Sequence, residues 1–488
     1  MIGSEDGSGD AVVPAARSTA GSWGELLGRH LGTSVLLAGG VGLYATNEFL
    51  TVSLMPSIIA EIGGDRLYAW VVTLYLVGSI VAATLVGPTL QRLGARASFL
   101  RGLVLFSVAS LVCAVAPNMG ALIAGRTLQG VAGGLLAGLG YALINSTLPR
   151  RLWTRGSGLV SAMWGVATVV GPATGGIFAQ FGLWRWAFGA MVIATALMAA
   201  LVPRVLAPEG PSPADSAGEA VPSPGVPARS LLLVGAAAVA VSVAQLPRNG
   251  AATAGLLAVA GVLLAAFVAV DRHAPVKVLP PSVFGSGPLK WIYLTMATLM
   301  MAVMVDTYVP LFGQRLGHLT PVVAGFLGAV LAFGWTLSEV VSASVNDTRV
   351  VAWLVALAPA VTAAGLAVAA VTQRSDAPIR VVAVWAVALL VAGMGIGIAW
   401  PHLSARAMES VDDPAESGAA AAAINTVQLI AAAFGAGLAG VVVNTAQADV
   451  VAAARDLYAV FAAVAGLGLA ASFRAKRGGR AVNQPSGL

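Results

Sequence analysis

The sequence predicts an all-α integral membrane protein with 14 spanning helices: two bundles of six, joined by a further pair. Three observations predict it. Of 488 residues, 58% are hydrophobic and only 10% charged, and the mean hydropathy is +0.86, whereas soluble domains carry roughly 25% charged residues. The apolar residues fall in repeated runs, and about 20 such residues cross a hydrocarbon core of ~30 Å. A stretch rich in Pro, Ser and Gly, EGPSPADSAGEAVPSPGVPAR (209–229), interrupts those runs after the sixth and reads as a flexible linker.

Taken in order, residues 1–33 are an N-terminal tail whose Gly, Ser and Asp content lacks the basic start and apolar centre of a cleavable leader. The first bundle occupies 34–203, with spans near 34–60, 67–90, 98–116, 119–147, 156–180 and 185–203. Residues 204–229 are the linker, and 230–270 hold the extra pair, near 230–247 and 252–270. A Pro-rich junction, 271–289, precedes the second bundle at 290–472, with spans near 290–313, 321–345, 350–372, 378–401, 418–444 and 450–472. A basic tail, 473–488, ends the chain.

An even number of spans places both termini on one side. Assigning them to the cytoplasm gathers 19 of the 27 Lys and Arg on that side, leaves 7 opposite, and puts Arg126 inside a span, as the bias of basic loops toward the cytoplasm requires. The acidic loop ARAMESVDDPAESG (405–418) is tolerated because acidic residues weigh little in that bias. The expected location is a bacterial plasma membrane. The basic residues form no stripe, so nucleic acid is not a partner. Cys113 is the only cysteine and the four histidines lie far apart, which leaves no disulfide or metal site. With no phosphate-cradling loop and no nucleophile motif, neither a nucleotide, a cofactor nor an enzymatic reaction is indicated.

Four stretches carry a resemblance. GPTLQRLGARASFL supplies Gly87, Arg92, Gly94 and Arg96 after the second span; LIAGRTLQGVAGG supplies Arg126, Gln129 and Gly130 in the fourth; GVATVVGPATGG supplies Gly165, Gly171, Pro172, Gly175 and Gly176 in the fifth; and TYVPLFGQRLGHLTPVVAGFL opens the second half with Pro310, Gln314 and Gly317. Over most of its length the chain resembles the major facilitator superfamily, and within it the fourteen-helix drug:proton antiporters. The resemblance implies that family's fold, a cavity between two rocking halves, small drug-like substrates exchanged for protons, and a monomer in the bilayer. It departs at Gln91, where the family's loop carries an acid, and at Asn47, where the family's first helix often carries Asp and this chain has Glu48 next door.

The polar residues inside the spans are the candidate site. A carboxylate at the bilayer centre costs about 2.5–3.5 kcal/mol on insertion scales and is rarely idle. Glu48, Asp306 and Glu339 are the intramembrane acids; hydrocarbon disfavours their charged forms, making each a candidate proton carrier, with Arg126 a candidate partner. Tyr44, Asn47, Glu48, Thr51 and Met55 repeat at helical spacing and line one face of the first span. Asp306 holds a corresponding place in the second half, as repeated halves require. Met301, Met304 and Tyr308 flank it, offering soft side chains that repack around varied ligands. Trp335, one turn from Glu339, suits a cationic aromatic compound. Gln129, Asn425 and Gln428 complete the candidate cavity lining. Each feature also has an ordinary reading: a structural carboxyl, a snorkelling arginine, a solvated acid near a helix end, or small-residue packing in the fifth span.

The function these residues point to is proton-coupled efflux of apolar, often cationic or amphipathic compounds by alternating access. Export of one specific metabolite, lipid or peptide on the same fold is the alternative, and a non-transporting scaffold or sensor the third reading.

Overall fold

The computed structural model describes residues 23–149, 152–206, 227–345, 347–411, 416–446 and 449–481. Among them every regular element is helical. The first half comprises α1 (Leu31–Ile62), α2 (Tyr68–Ala114), α3 (Met119–Ala142), α4 (Trp153–Gln180) and α5 (Trp184–Val205). The extra pair is α6 (Ala228–Val243) and α7 (Gly250–His273). The second half comprises α8 (Leu289–Val303), α9 (Val309–Gly317), α10 (Pro321–Ser342), α11 (Thr348–Thr372), α12 (Ile379–Gly397), α13 (Trp400–Glu409), α14 (Ser417–Thr445) and α15 (Val450–Ala481).

The expected spans map onto these elements with two differences. Residues 67–90 and 98–116 are joined without an intervening loop: α2 is helical on both sides of a single non-helical residue, Gly94, with φ 73° and ψ 171°. Both arms pack on α3, and they run oppositely along it. Tyr75 and Val86 of the first arm meet Gly130 and Gly138, whereas Phe106 and Cys113 of the second meet Gly133 and Gly125. The chain therefore reverses at Gly94, in a left-handed backbone conformation that favours glycine, and Ser98 caps the reversal by donating its hydroxyl to the Gly94 carbonyl at 2.6 Å. The other difference lies in the first span of the second half. It is not continuous: α8 stops at Val303, a 3₁₀ segment covers Met304–Tyr308, and α9 resumes with Pro310 in its first turn. Among the described residues 12 segments are long and apolar enough to span; the reversal at Gly94 makes one of them two, and α6, at 16 residues, completes 14.

Glycines set the close approaches. A Cβ at Gly130 would overlap the Tyr75 carbonyl, so the ridge Gly130, Gly134, Gly138 lets α3 lie backbone-to-backbone on α2, the close packing that replaces hydrophobic collapse in a bilayer.

The closest glycine contacts between the two halves lie toward one end of the molecule. At the end carrying the 63–67, 244–249 and 318–320 turns, here the distal end, Gly176 of α4 abuts Val322 of α10, Gly325 abuts Ser53 of α1, and Gly440 of α14 abuts Ala69 of α2. Tyr68 stacks on Tyr308 with centroids 4.5 Å apart, its hydroxyl donates to the Thr307 carbonyl at 2.8 Å, and Arg315 pairs with Asp65 at 3.6 Å. Helix α6 joins this clasp. It lies against both α2 and α14, with Gly437 against Val241 and Gly440 against Gln245. Just past α6, the Leu246 carbonyl accepts from the Arg66 guanidinium. The Asn444 amide reaches the Arg66 carbonyl at 2.9 Å and Gln245 Oε1 at 3.3 Å. Helix α7 packs on α6 and is otherwise open to its surroundings, with only 17% of its apolar window buried.

Candidate functional site

Two acids sit at matching depth. Glu48 lies 17 residues after Leu31, the start of α1, and Asp306 lies 17 residues after Leu289, the start of α8. At 1.5 Å per residue that is about 25 Å along each axis, near the middle of each segment. The two are close enough to sense each other's charge. Their surroundings differ.

Glu48 belongs to a cage built by the first half. Arg126, 1% exposed, lies seven residues into α3 with its guanidinium carbon 4.0 Å above the Tyr75 ring. Its Nη1 donates to Gln129 Oε1 at 2.9 Å, and Gln129 Nε2 donates in turn to Ser110 Oγ at 2.8 Å. Cys113 Sγ adds a weak contact to the same Gln129 oxygen at 3.5 Å. Tyr75 donates its hydroxyl to the Tyr44 carbonyl at 3.0 Å; Tyr44 stacks on Tyr75 at 5.3 Å and meets the edge of Trp164 at 5.8 Å. Arg126 is within Coulombic range of Glu48. The ion pairs among the described residues lie elsewhere, at Arg185–Glu61, Arg315–Asp65 and His318–Asp376. Glu48 and Arg126 therefore compensate each other through space rather than in a direct bridge.

The cage is held from the other side by α4. Gly171 brings the helix onto Phe49 and Leu50, Gly175 onto the Leu50 carbonyl, and Gly176 onto Val322 of the opposite half. This glycine run thus contacts the turn of α1 directly after Glu48 and the other half at once. Pro172 lies inside α4 and removes one rung of its ladder, leaving this contact zone on a helix able to bend.

Asp306 has no such cage. It occupies the 3₁₀ break, half-buried, and accepts from the Thr307 hydroxyl at 3.5 Å. Met301 and Met304 pack against Gly435 of α14. Tyr308, fully buried, stands between Tyr68 and Phe312, and its hydroxyl has no hydrogen-bond partner. A helix interrupted at the depth of a functional acid is the arrangement transporters use to expose backbone polar groups to a cavity.

The remaining sequence-derived candidates are placed as follows. Asn47 is buried beside Glu48, and Thr51 donates to the Asn47 carbonyl at 2.7 Å, so its hydroxyl is satisfied by its own helix. Glu339 lies three residues before the end of α10 at Ser342, one turn from Trp335, whose ring sits 5.0 Å from Trp400; this cluster is toward the end opposite the clasp and apart from Glu48 and Asp306. Gln428 is half-buried and Asn425 exposed on α14. Gly165 approaches Thr336 across the halves, Gly87 and Arg92 are exposed, and Arg96 is half-buried beside the Gly94 reversal.

Sequence reasoning missed Tyr75, Trp164, Ser110 and Tyr68. A signal existed for the tyrosines: the chain has only seven, and five of them fall in two aromatic clusters, Tyr44 and Tyr75 at the Arg126 cage and Tyr68, Tyr308 and Tyr458 at the clasp.

Comparison with known proteins agrees with this architecture. The family described as Major Facilitator Superfamily matches residues 37–436. A "Probable multidrug-efflux transporter" of Mycobacterium tuberculosis is 68% identical over 463 residues, 94% of this chain and 97% of that protein. Among solved structures, a D-xylose–proton symporter superposes with a TM-score of 0.62 at 17% identity, covering 91% of this chain and 97% of that one. A variant of the nucleoside transporter NupG gives 0.61 at 12% identity, covering 90% and 99%.

Proposed function

The chain belongs to the Major Facilitator Superfamily, a transporter and not an enzyme, and from that premise we propose that it is a proton-driven exporter of apolar, cationic or amphipathic compounds in a bacterial plasma membrane. The observation that carries this reading is the 68% identity, over nearly the full length of both chains, to a probable multidrug-efflux transporter. The paired acids add the means of coupling. Both termini lie in the cytoplasm on this reading, so the distal clasp is the closed outer gate and the molecule faces inward.

Substrate enters from the inner side while the acids are charged. Opening of the outer gate separates Tyr68 from Tyr308, a proton displaces the cationic compound, and the neutralised acid returns across the closing interface without carrying a bare charge through apolar surroundings. About 100 mV supplies roughly 2.3 kcal/mol per charge. One pH unit adds about 1.4, and the total of near 3.7 kcal/mol sustains a several-hundred-fold gradient per net proton.

The test is dye and fluoroquinolone uptake into energised inverted vesicles, with and without a protonophore, for the native chain, E48Q and D306N. Protonophore-sensitive accumulation lost in either variant supports antiport. Accumulation that survives both variants and the protonophore overturns the coupling, and a native chain that moves no dye shifts the reading to a single-substrate exporter.

A further inference from the structure

We propose that the inner end of the extra helix pair is a binding site for one anionic glycerophospholipid, its headgroup held at the start of α6 and its acyl chain laid between α6 and α7. A cleft of about 850 Å³ opens there, between the first turn of α6 (Pro227–Ser230) and the last turn of α7 (Ala269–His273). Its walls include Ala228, Ala269 and Val270, apolar surface suited to a hydrocarbon chain.

Its rim is polar and basic. Helix α6 begins at Pro227 with no side-chain cap, so the first-turn N–H groups point outward with the positive end of the helix dipole, an arrangement that attracts anions. Ser230 lines the cleft, is 1% exposed, and its hydroxyl has no partner. A buried hydroxyl left unpaired costs free energy that a ligand oxygen removes. Arg229 and His273 are exposed at the same rim, and Arg272 lies beside them. His273 spends one ring nitrogen on the Ala269 carbonyl at 2.9 Å, which leaves the other for a headgroup. The acid in this turn is spoken for: Asp271 is buried and accepts from the Val278 and Leu279 amides at 2.8 and 2.9 Å. Among the described residues the rim is therefore positive without local compensation. Basic pockets between spanning helices on the cytoplasmic side suit anionic headgroups, and α7 is the span least covered by protein among the 12 long apolar helices described.

The measurement is lipid retention by native mass spectrometry of the full chain, purified from vesicles of equal phosphatidylglycerol and phosphatidylcholine. The native protein is expected to keep phosphatidylglycerol selectively. R229Q and R272Q should each lower that preference about five-fold, S230V should lower it further, and R248Q, at the distal turn of the same pair, should leave it unchanged. Equal retention in native, R229Q and R272Q proteins overturns the proposal, as does an equal loss in R248Q, which would reduce the effect to general surface charge. Displacement of the lipid by glycerol phosphate as efficiently as by phosphatidylglycerol overturns the acyl-chain half of the site. Selective lipid that appears only after the linker acids Glu209, Asp215 and Glu219 are replaced by Gln or Asn overturns it in favour of the linker as the native occupant. None of these readouts depends on whether the chain exports drugs.

Discussion

Glu48 and Asp306 occupy the same depth in the two halves, yet only Glu48 has a cation of its own. Arg126, held by Tyr75, Gln129 and Ser110, offsets the charge on Glu48. Asp306 sits in a helix break with a threonine hydroxyl and aromatic neighbours, and the charge nearest to it is that of Glu48 itself. Positional symmetry between the halves does not extend to electrostatics. The first half supplies its acid with a buried counter-charge, whereas, among the described residues, the second half places none within hydrogen-bonding reach of its own.

The contrast makes graded predictions. The largest effect is expected for R126Q, because removing one member of a buried charge pair costs about 3–5 kcal/mol; thermal unfolding in detergent should fall sharply and transport should vanish. The double variant E48Q/R126Q should recover a large part of that stability, since it orphans no charge, and a double-mutant cycle showing no coupling would break the pairing. Q129L should cost about 1–3 kcal/mol by leaving an Arg126 N–H without a partner, while Ser110 keeps its bond to the Phe106 carbonyl, with a corresponding loss of transport. D306N should change stability by less than about 1 kcal/mol, having no cation to strand, while abolishing the response of uptake to an imposed pH gradient; a large loss of folded protein would show that Asp306 has a hidden structural partner. The smallest effect belongs to Y308F. Its hydroxyl is buried and unpaired, so its removal should leave the unfolding temperature unchanged or slightly raised, within about 1 kcal/mol.

The number, order and type of helices were legible in the sequence because a hydrocarbon core accepts little else than an apolar run of fixed length. Glu48, Asp306 and Arg126 were legible for the same reason, as polar residues where polar residues are costly. The break at Met304–Tyr308 was not, since MVDTYVPLF keeps the composition of a continuous span and its proline is equally consistent with a bend. The α2 reversal was read as a loop because QRLGARA contains polar residues; that the chain turns at one residue is a property of Gly94's backbone angles, which composition does not encode. The cage was missed in part because Tyr75, Ser110 and Trp164 are neutral and common in spans. Their role comes from the helix packing that the Gly130 ridge permits, and such proximity is a product of tertiary structure.

The position of α6 has a consequence for traffic. A two-bundle transporter has two flanking seams, and a compound dissolved in the bilayer can slip in sideways through either. Here α6 plugs the seam between α2 and α14, while the seam between α4 and α10 has exposed Val166, Val170, Phe326 and Phe333 along its border. The two flanks of the molecule are therefore unlike: among the described residues one seam is roofed by a third helix, and the other presents bare apolar side chains to whatever surrounds it.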